Sequence, residues 1–552
     1  MAETLSGIGV SPGVAAGPVA QMAAPPVVPT DATPAGDPET ENQAALAAMK
    51  AVATTLEERA ARAPGEAASV LAAQAMMAED PTLASKVSER VQAGKAAVTA
   101  VVEAFDDFRG LLAAAGPYMA ERVADLDDLR NRTVATLLGV PMPGVPDPGH
   151  PFVLVALDLA PADTATLDAD RVRAIITEEG GPTSHTAILA KSLGIPAVVT
   201  CPGATAIPEG ETVLVDGSDG SVLVAPDEAT VQEALAAEEA KLAALQSVSG
   251  PGRTADDHPV QLLVNIAGDR DLDAAAAADS EGVGLFRTEF LFLDRPNAPT
   301  LEEQQTVYQR VFDAFPGRKV VVRTLDAGAD KPMEFVTVPD EPNPALGVRG
   351  LRTSRRHPEL LEQQLAAVAG AAAASQAKVW VMAPMVSTKA EAATFAEQVH
   401  GHGLPTAGVM VEVPAAAIRA HHVAAACDFT SIGTNDLSQY TYAADRMAGE
   451  LADLLDAWQP ALLELVRLTA QAGKTLGKPV GVCGEAASDP LLALVFVGLG
   501  VTSLSMAPVS VPGVRAALAA HTLAECRGLA TIALDAEDGR TARTAVRAAT
   551  RS

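Results

Sequence analysis

The sequence predicts a multidomain α/β protein: a small α/β domain interrupted by a helical bundle, then a (β/α)8 TIM barrel. Three observations predict it. The chain has 552 residues, too many for one ordinary core. Residues 39–137 are rich in Ala, Glu, Leu and Arg at helical spacing, and β character stands on either side of them. From residue 258 onward, an apolar strand pattern alternates eight times with a helical run.

Residues 5–20, LSGIGVSPGVAAGPVA, mix glycine and proline with β-branched residues and read as short strands and turns. APPVVPTDATPAGDP (24–38) reads as a connector. About four helices follow, ended by PMPGVPDPG (141–149). Strand patterns then return in FVLVALDL, VRAIITEE, IPAVVT and ETVLVDGSDGSVLVAP, the last a hairpin turning at DGSDG. These strands and residues 5–20 are expected to form one domain. DEATVQEALAAEEAKLAALQ (227–246) reads as a linker helix. The expected divisions are 1–22 with 138–226, the insert 23–137, the linker 227–257 and the barrel 258–552. The eight barrel strands are sought at 260–266, 282–289, 319–326, 378–385, 407–413, 429–436, 479–485 and 503–508.

Hydrophobic residues make up 48% of the chain and aromatics only 3%, so Ala, Val and Leu must build most of the core. A formal charge of −29 argues against nucleic-acid binding through phosphate neutralisation. The four cysteines, Cys201, Cys427, Cys483 and Cys526, are too dispersed for a disulfide framework. The start lacks a basic segment followed by an apolar run, and no apolar stretch approaches membrane-spanning length, so a soluble cytoplasmic protein is expected.

TIM-barrel enzymes place their chemistry at the C-terminal ends of the strands. Here those ends carry Arg287 and Glu289, Arg323 and Asp326, Glu412, Asn435 and Asp436, and Cys483 and Glu485. One polar strand end is ordinary because it meets solvent; five together call for another explanation. Glu412 and Asp436 are hard oxygen donors suited to Mg2+. Arg287 and Arg323 present forked donors suited to phosphate or carboxylate, and Arg446 offers a third. Asn435 adds an amide. A small phosphate ester fits this set. Cys483 reads three ways: nucleophile, proton donor or small buried residue.

In GGPTSHTAILAKSLGIPAVV (180–199), Ile188, Leu189 and Leu193 have helical spacing, and Thr183 or Ser184 can cap the helix. His185 then stands in the first turn, where free N–H groups and the helix dipole favour an attached anion. A neutral imidazole there can accept a phosphoryl group and pass it on. A histidine that merely packs at a helix start is the plainer alternative. No second His or Cys lies at ligand spacing, which weakens a metal reading.

Taken together, GGPTSHTAILAKSLGIPAVV closely resembles the phosphohistidine signature of the enzyme I family of the phosphoenolpyruvate-dependent sugar phosphotransferase system. GVGLFRTEFLF, VVRTLDAGADK, GVMVEVPAAA, FTSIGTNDLSQYTYAADR and GVCGEAASDP resemble its barrel motifs in the same order, and GIGVSPGVAAGPV its opening. Ala329 stands where the family usually shows a glycine, and Val348 where it usually shows an aromatic. The resemblance implies that phosphoenolpyruvate binds at the barrel mouth with Mg2+ held by Glu412 and Asp436. It implies that Arg287, Arg323, Asn435, Asp436 and Arg446 bind the substrate, that His185 is phosphorylated, and that Cys483 protonates the departing enolate. It further implies a swivelling phosphohistidine domain, a homodimer through the barrel, and transfer to the histidine phosphocarrier protein HPr docked on the helical insert. Met76 and Met77 are candidate docking anchors there, or core methionines. The alternatives are a relative of pyruvate phosphate dikinase or phosphoenolpyruvate synthase, which lacks support because no nucleotide loop is found, and a non-catalytic regulator.

Overall fold

The computed structural model describes the chain apart from residues 1–2, 23–25, 30–31, 61–73, 115–122, 141–143, 147, 160–166, 169–170, 182–184, 294, 328–332, 334, 339–340, 446–448 and 551–552. It divides into two compact units, Met1–Glu239 and Ala240–Ser552.

The first unit is built on an eight-stranded mixed sheet. Its strands are β1 (Glu3–Ser6), β2 (Ile8–Ser11), β3 (Val14–Gln21), β4 (Phe152–Ala156), β5 (Val172–Thr177), β6 (Ala197–Val199), β7 (Thr212–Asp216) and β8 (Ser221–Val224), in spatial order β1-β8-β7-β3-β4-β5-β6-β2. β4 is buried on both faces, so its residues are apolar without alternation. Phe152, Leu154 and Ala156 join one core with Ala187 and Ala190, while Val153 and Val155 join another with Val213 and Val215. The predicted hairpin is present as β7 and β8, with Gly220 at φ 82° in its turn. β3 pairs in parallel with β4 although more than a hundred residues separate them; Val19 stands opposite Val153.

That separation holds helices Pro38–Ala60, Pro81–Gln92, Ala97–Ala114 and Val123–Leu138, which enclose a core of their own including Leu56, Leu83, Phe105 and Leu129. Asp80 caps the second of these, accepting from the N–H groups of Thr82 at 2.7 Å and Leu83 at 3.1 Å. Glu41 is nearly buried because it collects three backbone donors: Ala97 at 2.7 Å, Ala35 at 2.6 Å and Gly36 at 3.1 Å. These bonds, that of Ala97 foremost, hold its carboxyl below the usual range. Helix Glu228–Ser247 occupies the segment predicted to be a linker helix and spans the boundary between the units.

The second unit contains a closed, all-parallel barrel of β9 (Gln261–Ile266), β10 (Gly282–Arg287), β11 (Lys319–Arg323), β12 (Lys378–Ala383), β13 (Ala407–Val411), β14 (Phe429–Ile432), β15 (Val480–Val482) and β16 (Ser503–Met506). The fold class expected from the sequence is therefore the observed one, and each strand lies within its predicted segment. Alternation sorts the side chains. Val320 and Val322 of β11 face the helical layer, while Val321 faces inward with Leu285, Met382, Met410 and Phe429. Thr300, Thr388 and Thr522 each begin a helix with a reciprocal capping box, so these helix starts are written locally. Among the described residues, no helix is long and apolar enough to cross a membrane.

Candidate active site

The C-terminal ends of the barrel strands gather several charged side chains. Arg287 and Arg323 are the last residues of β10 and β11. Glu412 directly follows β13, and Cys483 directly follows β15. Asn435 and Asp436 lie in the first turn of helix Thr434–Tyr442 after β14, where the helix dipole favours a carboxylate.

Arg323 forms ion pairs with Glu289 and, at 3.3 Å, with Asp326. Arg349 lies at 3.1 Å from Asp326 and 3.0 Å from Asp436, and donates to the Tyr440 hydroxyl at 3.3 Å. A buried chain of alternating charge thus runs Glu289–Arg323–Asp326–Arg349–Asp436, and none of its members is more than 8% exposed. Burial by itself would lower both guanidinium pKa values. The carboxylates outweigh it, Glu289 and Asp326 most for Arg323, Asp326 and Asp436 most for Arg349, and both arginines stay charged.

Glu412 is fully buried beside this chain. Desolvation first, then the charges of Asp436 and Asp326, push its carboxyl well above the usual range against the opposing pull of Arg323 and Arg349. Its Oε1 accepts the Met385 N–H, and Met385 is held in the left-handed region at φ 58°. Its Oε2 has no partner among the described residues. Gly433 keeps that side open: a Cβ there would lie 3.0 Å from Oε2. An orphaned carboxylate oxygen near a second carboxylate is the donor set a hard cation requires. Among the described residues, no group of three or more His, Cys, Asp or Glu could hold a metal. Two carboxylates remain sufficient for Mg2+, which keeps water and takes phosphate oxygens as its other ligands.

Cys483 is 2% exposed and faces the barrel interior. Desolvation raises its thiol to about 11, opposed by a hydrogen bond from Ser431 and the charges of Arg323 and Arg287. The group is therefore a thiol at neutral pH, which suits a proton donor better than a nucleophile.

The structure thus gathers Arg287, Arg323, Glu412, Asp436 and Cys483 at one barrel mouth. Asn435 neighbours them but is exposed, and Arg446 lies outside the described residues, as does Ala329. Arg349 was missed by the strand-end argument because it stands in the long connection between β11 and helix Pro358–Ala373. The available signal was the length of that connection, since long loops on this barrel face carry function.

His185 belongs to the first unit, as the first residue of helix His185–Leu193. The proposed caps Thr183 and Ser184 lie outside the described residues. Met76 is 77% exposed, while Met77 packs against the core of the inserted helices. The two methionines therefore differ, and only Met76 offers an apolar side chain to solvent.

Three family models match the chain: "PEP-utilising enzyme, N-terminal" over residues 6–122, "PEP-utilising enzyme, mobile domain" over 148–220 and "PEP-utilising enzyme, PEP-binding domain" over 241–523. A phosphoenolpyruvate-protein phosphotransferase of Streptomyces coelicolor is 56% identical over 99% of both chains. Proteins of the same name from Haloferax volcanii and Listeria innocua are 39% and 36% identical, over 97% and 93% of both chains respectively. By sequence along its whole length, the chain belongs to the phosphoenolpyruvate-protein phosphotransferase family of PEP-utilising enzymes.

Proposed function

We propose that this protein transfers the phosphoryl group of phosphoenolpyruvate to His185 and then to a histidine of the small phosphocarrier protein HPr, the first step of the sugar phosphotransferase system. The observation that carries the reading is the barrel-mouth cluster, in which buried arginines and carboxylates surround a protonated thiol. The names borne by the relatives, including one 56% identical along the whole chain, support it.

In this reading Arg323 and Arg349 exchange carboxylate partners for phosphate and carboxylate oxygens of the substrate, while Arg287, Asn435 and Arg446 add further donors to them. A ring nitrogen of His185 attacks phosphorus as the bond to the enol oxygen breaks. The enolate of pyruvate leaves, and Cys483 gives its thiol proton to the methylene carbon, becoming a thiolate that later regains a proton from solvent. Glu412 and Asp436 would hold Mg2+, which neutralises phosphate and enolate charge when bound. The rest of the catalysis is positioning and charge complementarity.

His185 has two partners to meet, so residues 1–22 and 138–226 form the swivelling domain, 23–137 the carrier-docking insert presenting Met76, 227–257 the linker, and 258–552 the substrate-binding and homodimerising barrel. The stretches near 141–149 and 227–250 serve as hinges. The protein works in the cytoplasm. Incubation with labelled phosphoenolpyruvate and Mg2+ should give acid-labile, base-stable label on the protein, abolished by His185→Ala. Label that persists in that variant removes His185 from the relay.

A further inference from the structure

Behind the barrel mouth lies a buried polar cluster that the reaction itself does not use. Gln364, on helix Pro358–Ala373, is 1% exposed. Its Oε1 accepts the Leu325 N–H at 2.9 Å. Its Nε2 donates to Thr288 Oγ1 at 3.0 Å and to the Tyr308 hydroxyl at 3.0 Å. Thr288 Oγ1 donates in turn to the Arg323 carbonyl at 2.9 Å. The Tyr308 hydroxyl donates to Gln304 Oε1 at 3.2 Å, and Gln304 Nε2 ends the chain at the Pro299 carbonyl, 3.0 Å away.

The directions in this network are forced. A flipped Gln364 amide would aim N–H at the Leu325 N–H and leave two hydroxyls without their donor. Burial raises the Tyr308 phenol, so it keeps its proton for Gln304. The points of attachment are selective too. Thr288 immediately precedes Glu289, and Leu325 immediately precedes Asp326; those two carboxylates are the partners of Arg323. Thr288 also grips the backbone of Arg323 itself. One amide therefore ties together the loop after β10, the loop after β11 and the helix that closes the Arg349-bearing connection.

We infer that Gln364 and Thr288 are positioning residues for Arg323. They hold its backbone and both carboxylate partners fixed, so that the guanidinium can release a carboxylate and take a substrate oxygen without its base shifting. This rests on the proposed reaction at the barrel mouth. Satisfying buried polar groups would by itself demand hydrogen bonds here, so the test must separate positioning from packing.

Phosphorylation of His185 from phosphoenolpyruvate uses Arg323, whereas phosphorylation from the phosphorylated carrier bypasses the barrel. In the full-length protein, Thr288→Val keeps the shape and removes the hydroxyl, while Thr288→Ser restores it. Thr288→Val and Gln364→Leu should each slow the first reaction ~10–100-fold, the range for a misplaced reactive group. Both should leave the carrier reaction at the wild-type rate, and the double variant should be no slower than the worse single one, because one network is broken once. Thr288→Ser should stay near wild type. The inference is overturned if Thr288→Val reacts with phosphoenolpyruvate at the wild-type rate, if Thr288→Ser is as slow as Thr288→Val, or if both reactions fall in step. Should Gln364→Leu fail to fold, the Val–Ser pair at Thr288 decides alone. A wild-type protein that takes no label from phosphoenolpyruvate would instead defeat the proposed function.

Discussion

Adding a single methyl group at Gly433 tests the metal site without replacing a charged residue. Gly433 has φ −90° and ψ 88°, outside the left-handed region, so alanine there meets no left-handed strain and acts through its Cβ. That Cβ would lie 3.0 Å from Glu412 Oε2, 3.1 Å from Met410 Sδ and 3.3 Å from Met410 Cγ. All three are tighter than ordinary contact, and Glu412 has little room to retreat because Oε1 is held by Met385. Overpacking of this kind costs about 1–3 kcal/mol. If that cost falls on the carboxylate position that binds the cation, Mg2+ affinity drops by roughly 5–150-fold. The assay is the Mg2+ concentration giving half-maximal phosphorylation at saturating phosphoenolpyruvate, with carrier exchange and thermal unfolding as controls for folding. A Gly433→Ala protein that folds normally and keeps the wild-type Mg2+ midpoint would show that Glu412 Oε2 does not face the metal.

Three further outcomes follow. The 240-nm thiolate absorbance lost in Cys483→Ala should appear in the native protein only as pH nears about 11; a signal already full at pH 8 would exclude a thiol donor. The same variant should slow phosphorylation from phosphoenolpyruvate ~10²–10⁴-fold while sparing carrier exchange, and equal loss of both reactions would indicate misfolding. At the other end of the barrel, Lys319 lies 4.0 Å from the Trp380 ring centroid, and desolvation lowers its pKa from 10.5 to about 8. The unfolded chain therefore binds more protons at this group between about pH 8 and 10.5, so it contributes a stability that rises with pH in that window. Subtracting the melting profile of Lys319→Met from that of wild type should expose the rise, and a flat or falling difference would contradict the desolvation.

Much of the candidate site was legible because a barrel turns strand ends into neighbours. Arg287, Arg323, Glu412 and Cys483 each terminate an apolar run, and Asp436 opens the helix after one. Arg349 has no such marker, being one arginine among several in a connection without periodicity. Asn435 and Asp436 are adjacent in sequence, yet one is exposed and the other buried, because successive residues of a helix point in different directions. Met76 and Met77 part in the same way.

Sequence alone determined the element types, the eightfold alternation, the hairpin turn and the capped helix starts, since each depends on residues a few positions apart. Tertiary structure decided the rest: that β3 pairs with β4 across the helical insert, that Arg349 bridges Asp326 to Asp436, and that Gln364 ties two loops behind Arg323. These are choices of partner between groups far apart along the chain, made when burial strips the polar atoms of water and leaves them only one another to satisfy.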